Sequence, residues 1–422
     1  MSISIHVNAS LAVALAGGAS ANFGTPIFVT EHTVSANRQD GPYSSLAAVE
    51  AAGFTATAAP AAHAWATAAF AQQQRAAQVL IGRRASGENL PTALAAIEAE
   101  DPAAFYALNI ELNTANEIMA LAAWTETRSK IAIAQSSDAA ILAGTASEQQ
   151  VSTFTVGGTT DGAYSIAVTN AWTGALIGTA SYTASGDTAD DIATALRAAW
   201  DGVAELADIS AAAAGAGADV EITFDGLGNG YTFALVSPGD ILTESTPAFV
   251  QNVLELGGAL GYNRTAVIYH DSDAEYVDGA WTSRCLSFQL DAPDGAAIWA
   301  YHRLTGVTAT SLTDAQKTQL LADEGNYYAP VTYTSGVEEA GFTYQGRMLS
   351  GRAIDITTTI DVTQARLEEA LLLAFLRASS VNRKISMSDD GIQLLAATGE
   401  GVLAKLVRAA HYLDDGESSI TG

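Results

Sequence analysis

The chain is poor in cysteine and in charged residues. Cys285 is the one cysteine among 422 residues, which excludes an intramolecular disulfide and a zinc cluster built on several thiolates. Charged residues make up 15% of the chain, against roughly 25% in ordinary soluble domains. So few charges favour a protein that buries much of its outside against copies of itself, although an alanine-rich composition alone would also lower the charged fraction.

Basic residues are especially scarce. The 19 Lys and Arg residues face 46 Asp and Glu residues, which gives a net charge of −27. This balance argues against nonspecific binding of nucleic acid, where cations neutralise phosphates. The first basic residue is Arg38, so the small-residue run Leu11–Ala21 lacks the positive flank of a secretory signal. No run of about 18 strongly apolar residues occurs, so we expect no membrane insertion.

Catalytic motifs are also missing from the sequence. It contains no GxxxxGK[ST], GxSxG or HExxH. His63, His270 and His302 lie far apart, which favours structural roles over metal binding. Cys285 lies in the strand-like context SRCLSFQL, which predicts a buried and inert thiol. We therefore predict no catalytic site, no cofactor and no metal.

One acidic run deserves comparison with calcium loops. It carries Asp271, Asp273, Glu275 and Asp278, whose oxygens suit Ca²⁺. Tyr276 stands where an EF-hand loop requires glycine. The pattern therefore favours a solvated loop, with a calcium site as the alternative.

Predicted strands and helices alternate over most of the chain, which is typical of a layered α/β core. The predicted strands of the core are Phe23–Thr30, Ala77–Gly82, Phe105–Leu112, Ile131–Ala134 and Thr265–Tyr269. The predicted helices are Tyr43–Gly53 with Ser44 or Ser45 as its cap, Pro60–Arg75, Leu90–Glu100, Asn116–Ser129, Thr313–Asp323 with Thr313 as its cap, Val362–Ala378, Asp389–Ala397 and Gly401–Leu413.

Residues 151–250 differ in character, with twelve acids and the single base Arg197. Their short strands, glycine turns and the stripe Ile192, Leu196, Trp200 predict a small β-rich α+β module inserted into the core, on its solvent side. We therefore divide the chain into an arm (1–22), the first part of the core (23–150), the inserted module (151–250) and the second part of the core with C-terminal helices (251–422).

The first residues predict an extended N-terminal arm. Ile3, Ile5 and Val7 share one face of a strand, and a small-residue tether, Ala9–Asn22, follows it. The strand has no hairpin partner nearby, so it must pair with a distant part of this chain or with another chain. We predict an inter-subunit strand at these three residues.

Ten short segments of the chain resemble, in the same order along the sequence, those of the sheath family of contractile phage tails. They cover most of the chain outside residues 151–250, and their collinear order carries the resemblance. The segments are Phe23–Val29, Tyr43–Phe54, Trp65–Arg84, Leu94–Leu108, Leu121–Ala132, Gly261–His270, Ile298–Val307, Leu312–Tyr328, Gly346–Ile356 and Ile385–Leu395.

The resemblance implies a polymerising mechanical protein and not an enzyme. In this family, subunits stack as hexameric rings around a tail tube and contract to drive it through the host envelope. The implied partners are other copies, the tube protein, and baseplate and tail-terminator proteins, within a virion tail assembled in the host cytoplasm. Such proteins usually continue into a C-terminal strand; here Asp414–Gly422 stands in its place, so that arm is absent or the sequence is a shortened one.

The near-neutral last part of the chain is the candidate for facing the tube. Lys405 and Arg408 lie three residues apart and share one helix face; the alternative is a solvated basic face near a helix C-terminus. Arg383 and Lys384 are further candidates, in a predicted loop. Alternatives for the whole chain are a sheath-like baseplate or terminator component, a secreted adhesin or layer protein, and, least favoured, an acidic hydrolase.

Overall fold

The computed structural model describes residues 22–288, 290–293, 295, 298–332, 338–380, 385 and 388–409. Strands and helices alternate over most of these residues. The strands are β1 (Pro26–Glu31), β2 (Gln39–Tyr43), β3 (Val79–Arg84), β4 (Ala107–Ile110), β5 (Ile131–Ser136), β6 (Gln149–Val156), β7 (Gly162–Asn170), β8 (Leu176–Ala184), β9 (Ser210–Ala214), β10 (Asp219–Leu227), β11 (Tyr231–Val236), β12 (Leu242–Ser245), β13 (Thr265–Tyr269), β14 (Asn326–Thr332) and β15 (Glu338–Tyr344). The helices are α1 (Leu46–Ala51), α2 (Pro60–Phe70), α3 (Leu90–Glu100), α4 (Ala115–Glu126), α5 (Ala139–Ala143), α6 (Ala189–Asp201), α7 (Ala204–Ala207), α8 (Val253–Leu260), α9 (Val277–Cys285), α10 (Asp314–Ala322), α11 (Ile354–Ser380) and α12 (Asp389–Arg408).

The largest sheet in the described part of the chain has eight strands in the order β15-β14-β13-β5-β4-β1-β3-β2. Its strands from β14 to β3 run parallel, and β2 and β15 pair antiparallel at the two edges. Parallel strands require crossover connections, which the intervening helices supply. The predicted α/β layering is confirmed.

Two hydrophobic clusters lie on the two faces of this sheet. Successive side chains of a strand point to opposite faces, so Phe28 enters one cluster while Ile27 and Val29 enter the other. The Phe28 face is covered by α1, α2 and α9 and by parts of α11 and α12. The opposite face is covered by α3, α4, α8 and α10. Burial on both faces explains why the central strands are continuous apolar runs without alternation.

Helix starts follow local side-chain chemistry. Ser45 caps α1 by accepting from the Ala48 amide, and Thr313 forms a reciprocal capping box with Gln316. Pro60 occupies the first turn of α2, where its missing N–H costs no hydrogen bond. These three starts agree with the sequence predictions.

Residues 149–245 build two further sheets, β12-β6-β10-β9 and β11-β7-β8. The predicted stripe of α6 is buried in a separate hydrophobic cluster formed by these strands and α6. The two ends of the span meet, because the Glu148 amide donates to the Val250 carbonyl at 2.9 Å. The division of the whole chain into an arm, a core and an inserted module at the boundaries given above stays a prediction.

Several local predictions are wrong. Cys285 ends helix α9 and is not in a strand. Residues 389–408 form the single helix α12 and not two helices, because the helix continues through the glycines at 399 and 401. Gly399 lies close to α11, since a Cβ there would lie 3.8 Å from Leu367. Strands β2, β6, β9, β12, β14 and β15 were not predicted, and Tyr43, predicted as the start of a helix, ends β2.

Candidate functional site

The predicted site residues differ in where the structure places them. Ile3, Ile5, Val7, Arg383 and Lys384 lie outside the described residues. Lys405 and Arg408 lie in the last turn of α12, and both are exposed. Neither side chain forms an ion pair with another described residue, so this face of α12 presents two charges that are not neutralised within the described chain.

A buried ion pair fixes α11 to the sheet. The Arg264 guanidinium donates two hydrogen bonds to the Asp361 carboxylate, at 2.8 and 2.9 Å. The Tyr106 hydroxyl donates to the same carboxylate at 2.9 Å. The Asp361 side chain is 1% exposed, so α11 is held where it leaves the sheet by three charge-assisted bonds. Burial and the adjacent Asp361 charge raise the pKa of Tyr106 well above its usual value.

Beyond this anchor, α11 leaves the core. Ile354, Thr357, Thr358, Asp361 and Val362 are buried, and no described side chain of the helix after Val362 is. The sequence there is LLLAFL, which places apolar side chains on every face of the helix. A helix that is apolar all round needs partners on more than one side.

Helix α12 packs along α11 and gives it one partner. Val402 and Leu406 of α12 join the core cluster near the anchor. Further out, Ala365, Leu367 and Ala370 of α11 are still partly buried against the core cluster, and the large apolar side chains beyond them are more exposed. We call this outer part, residues 363–380 of α11 and 389–400 of α12, the distal hairpin. Its most exposed large apolar side chains are Leu373 at 43%, Leu376 at 49%, Ile392 at 61% and Leu394 at 51%.

The distal hairpin is suited to contact another protein. Two helices cannot cover all of each other's apolar surface, and clustered exposed apolar side chains mark interaction sites. Covering each of these four side chains would contribute roughly 1–2 kcal/mol. The LLLAFL run was the sequence signal that predicts this surface, since a one-sided amphipathic helix would carry polar residues there.

A crevice lies at the carboxyl ends of the central strands. β3 and β4 lie on opposite sides of β1, so the chain connections diverge there, and open α/β sheets place ligands at such a point. The crevice encloses about 260 Å³. Its charged lining residues are Glu31, Arg84, Glu111 and Glu117.

The side chains of Glu111, Arg84 and Glu117 in this crevice form bonds within the chain. Glu111 accepts from the Thr30 hydroxyl at 2.5 Å and from the Glu31 amide at 3.1 Å. Arg84 pairs with Glu117 at 2.9 Å. Through its two bonds to Thr30 and Glu31, the Glu111 carboxylate holds the end of β1 to the segment that follows β4.

The predicted acidic loop is only partly solvated. Glu275 is near the surface and accepts from the Thr308 amide and hydroxyl. Asp278 instead lies fully buried in α9, where it accepts from the Asn109 amide at 3.1 Å. The loop prediction is wrong for Asp278, because the helix begins at Val277 and turns this carboxyl into the core. Burial raises the pKa of Asp278 to about 7.

The histidines and the cysteine have structural surroundings. The His270 ring is 1% exposed and lies 2.8 Å from the Thr308 carbonyl, while His63 lies 3.0 Å from Glu50. Cys285 is buried, and burial raises the pKa of its thiol well above the usual value. A thiol held protonated is a poor nucleophile, which agrees with the predicted inert cysteine.

Metal-binding clusters and membrane-spanning helices are both absent from the described part of the chain. In those ranges no group of three or more His, Cys, Asp or Glu residues is arranged to hold a metal ion. Among the described helices, none combines the length and the apolar character needed to cross a membrane.

No protein-family model matches the chain, and no curated protein sequence matches it. Among solved structures, the chain is similar to a sheath tail protein from Listeria innocua, with 9% sequence identity over 93% of this chain and 89% of that one. The TM-score of 0.35 is too low for this likeness to assign a fold or a function.

Proposed function

We propose that the chain is a structural subunit of a contractile tail sheath. It polymerises as stacked hexameric rings around a tail tube, and contraction of the polymer drives the tube through the host envelope. The collinear order of ten sequence segments supports the choice of this family. The distal hairpin gives the main support for an assembly function, because its large apolar side chains remain exposed within the described chain.

The hairpin contributes the contact between neighbouring subunits in this proposal. Its anchor at Arg264 and Asp361 holds it rigidly where it leaves the sheet, so the contact is preorganised and loses little entropy on assembly. The N-terminal strand at Ile3, Ile5 and Val7 adds a second joint by pairing with a sheet edge of a neighbour. The main-chain hydrogen bonds of this joint can persist while the subunits rotate about the flexible tether.

Lys405 and Arg408 face the tube in this proposal, with Arg383 and Lys384 as further candidates. Exposed cations that have no carboxylate partner among the described residues can pair with acids of another protein. Tube, baseplate and terminator proteins are the other partners, and the place of action is the virion tail after assembly in the host cytoplasm.

No nucleotide or cofactor is needed for this mechanism. The extended polymer is metastable, and the contracted packing has the lower free energy. Alternative packings of one chain commonly differ by a few kcal/mol, and the differences add over many coupled subunits. The energy of contraction is therefore stored during assembly.

Sedimentation velocity of a hairpin variant tests the assembly function. The variant carries Leu373→Gln, Leu376→Gln, Ile392→Gln and Leu394→Gln, all at partly exposed positions. It should stay folded and sediment as a monomer at concentrations where the unmodified chain polymerises. The matched control carries Leu176→Gln and Leu227→Gln, which are 63% and 56% exposed on other elements and should leave polymerisation unchanged. If the folded hairpin variant polymerises at the same concentration as the unmodified chain, the hairpin is not part of the interface between subunits.

A further inference from the structure

An open cleft lies between the segment after α2 and the end of α9. It encloses about 440 Å³ and is lined by Gln73, Gln74, Arg75, Ser287 and Phe288. Arg284, in the last turn of α9, reaches its wall, because its guanidinium donates to the Gln74 side chain. The cleft therefore has polar amides, an aromatic ring and two guanidinium groups around it.

A third arginine, Arg303, belongs to a segment that packs beside this cleft. Phe288 of the wall has its ring 5.9 Å from the ring of His302, and Arg303 follows His302. On the other side, the Thr305 backbone exchanges two hydrogen bonds with the Gln72 side chain, at 2.7 and 3.0 Å. The segment that carries Arg303 is thereby held against the segment that carries Arg75.

None of these arginines is neutralised within the described chain. Arg75 donates to the Phe70 carbonyl at 2.7 Å and lies over the Phe70 ring. Arg284 bonds a neutral amide and lies 5.9 Å over the Phe288 ring. No carboxylate of a described residue lies within 4 Å of Arg75, Arg284 or Arg303. By contrast, several other cations are paired with carboxylates, namely Arg38, Arg84, Arg128, Arg264, Lys317, Arg347 and Arg366.

Unpaired cations are unexpected in a chain with 46 acids and 19 bases. Copies of a chain with a net charge of −27 repel one another, so assembly needs contacts where the charges are opposite. A guanidinium binds a carboxylate through two parallel hydrogen bonds. An arginine cleft on one copy and an acidic surface on the next would remove part of the repulsion.

We propose that the cleft lined by Arg75, with Arg284 on its wall and the Arg303 segment packed beside it, binds carboxylate side chains of a second copy of this chain. Charge complementarity selects this occupant: residues 151–250 alone carry twelve acids against one base. The inference rests on the proposed polymerisation and adds to it a specific electrostatic contact. The hairpin contact is apolar and does not weaken with salt, whereas this contact does.

The test measures the lowest concentration at which polymer forms, by sedimentation at low and moderate salt. The cleft variant is Arg75→Glu with Arg303→Glu, both at exposed positions. At low salt it should require about tenfold more protein than the unmodified chain, since an interface charge pair becomes a repulsion. The difference should shrink as salt is added. Thermal unfolding should be unchanged, and Arg75→Gln with Arg303→Gln should give an intermediate effect.

The control variant is Arg352→Glu with Lys317→Glu, which makes the same change in net charge at two positions outside the cleft lining and outside residues 151–250; Lys317 has only a 3.9 Å contact with the exposed Asp314. It should change the required concentration by less than about threefold, as expected for screened general repulsion. If cleft and control variants behave alike while polymer still forms, the cleft contact is refuted and the proposed function is untouched. If the unmodified chain forms no polymer, both proposals are refuted.

Discussion

The Asp361 carboxylate of α11 lies 2.8 and 2.9 Å from the two terminal nitrogens of Arg264. The pair joins α11 to the segment just before β13, at the point where the helix leaves the sheet. Because Tyr106 also donates to Asp361, the carboxylate supports both the sheet and the helix. This buried group fixes the start of the distal hairpin, and the pair between Arg366 and Asp291 holds α11 at a second point further along.

Replacing Asp361 by Ala should therefore destabilise the chain. It leaves Arg264 and the buried Tyr106 hydroxyl without their acceptor, which we expect to cost roughly 3 kcal/mol in the free energy of unfolding. Denaturant unfolding measures it. Arg347→Ala is the matched control, since it breaks an exposed pair with Glu324 and should cost under about 1 kcal/mol. Similar losses from both variants would show that the anchor is no stronger than a surface pair.

The buried Asp278 predicts an unusual pH dependence of stability. Burial raises its pKa in the folded chain to about 7, whereas an unfolded Asp has a pKa of about 4. Between these values the folded state holds a proton that the unfolded state has released, so stability falls as the pH rises from about 4 to about 7. Below that window the contribution is fully present, and above it no further loss occurs.

Asp278→Asn should remove this part of the pH dependence, because the amide keeps a similar shape without a charge. The free energy of unfolding of the variant, minus that of the unmodified chain, should rise by on the order of 4 kcal/mol between pH 4 and pH 8. Denaturant unfolding at both pH values measures it. A difference that stays constant with pH would place the folded pKa of Asp278 near its ordinary value.

Lys405 and Arg408 should matter for assembly on a tube. Replacing both by Glu should weaken tube-templated polymerisation more than spontaneous polymerisation, since the predicted partners of these side chains are acids of the tube protein. Co-sedimentation with and without purified tube measures the two processes. The reversal Arg197→Glu with Arg352→Glu is the control for net charge. An equal loss in both processes would assign the two residues to contacts between subunits.

Residues 149–249 should be removable without loss of the core fold. The bond between Glu148 and Val250 places the two junctions next to each other, so a short linker can replace the span. The excised chain loses Trp172, which packs into the core cluster and donates to Asn116. We expect this loss to lower the free energy of unfolding of the core by roughly 3–5 kcal/mol. Circular dichroism during thermal unfolding measures the result. Loss of a cooperative transition would mean that the span is part of the core.

Several elements could be predicted because their signals are local. Thr313 and Ser45 cap helices through bonds to amides three residues away, and β13 is a short apolar run between polar segments. Helix α9 could not be found this way, since it is buried on nearly all sides and carries Asp278, Thr282 and Ser283 inward. Such a helix has no polar face, and its sequence has no helical period.

Other features depend on distant partners and have no local signal. The run at β9, Ser210–Ala214, has helical propensity, yet it forms a strand because it pairs with β10. The order of strands in the main sheet, and hence the crevice between β1 and β4, follows from packing over the whole chain. The arginine cleft joins residues about 210 positions apart, Arg284 and Gln74, which no spacing pattern relates.

Electron microscopy of the purified chain tests the assembly claim most directly. Negatively stained samples over a range of concentrations, with and without purified tube, should contain hollow striated cylinders of stacked rings. The unmodified chain should form them, and the hairpin variant should not. A monodisperse monomer at every concentration, in the presence of tube as well as in its absence, would contradict the account.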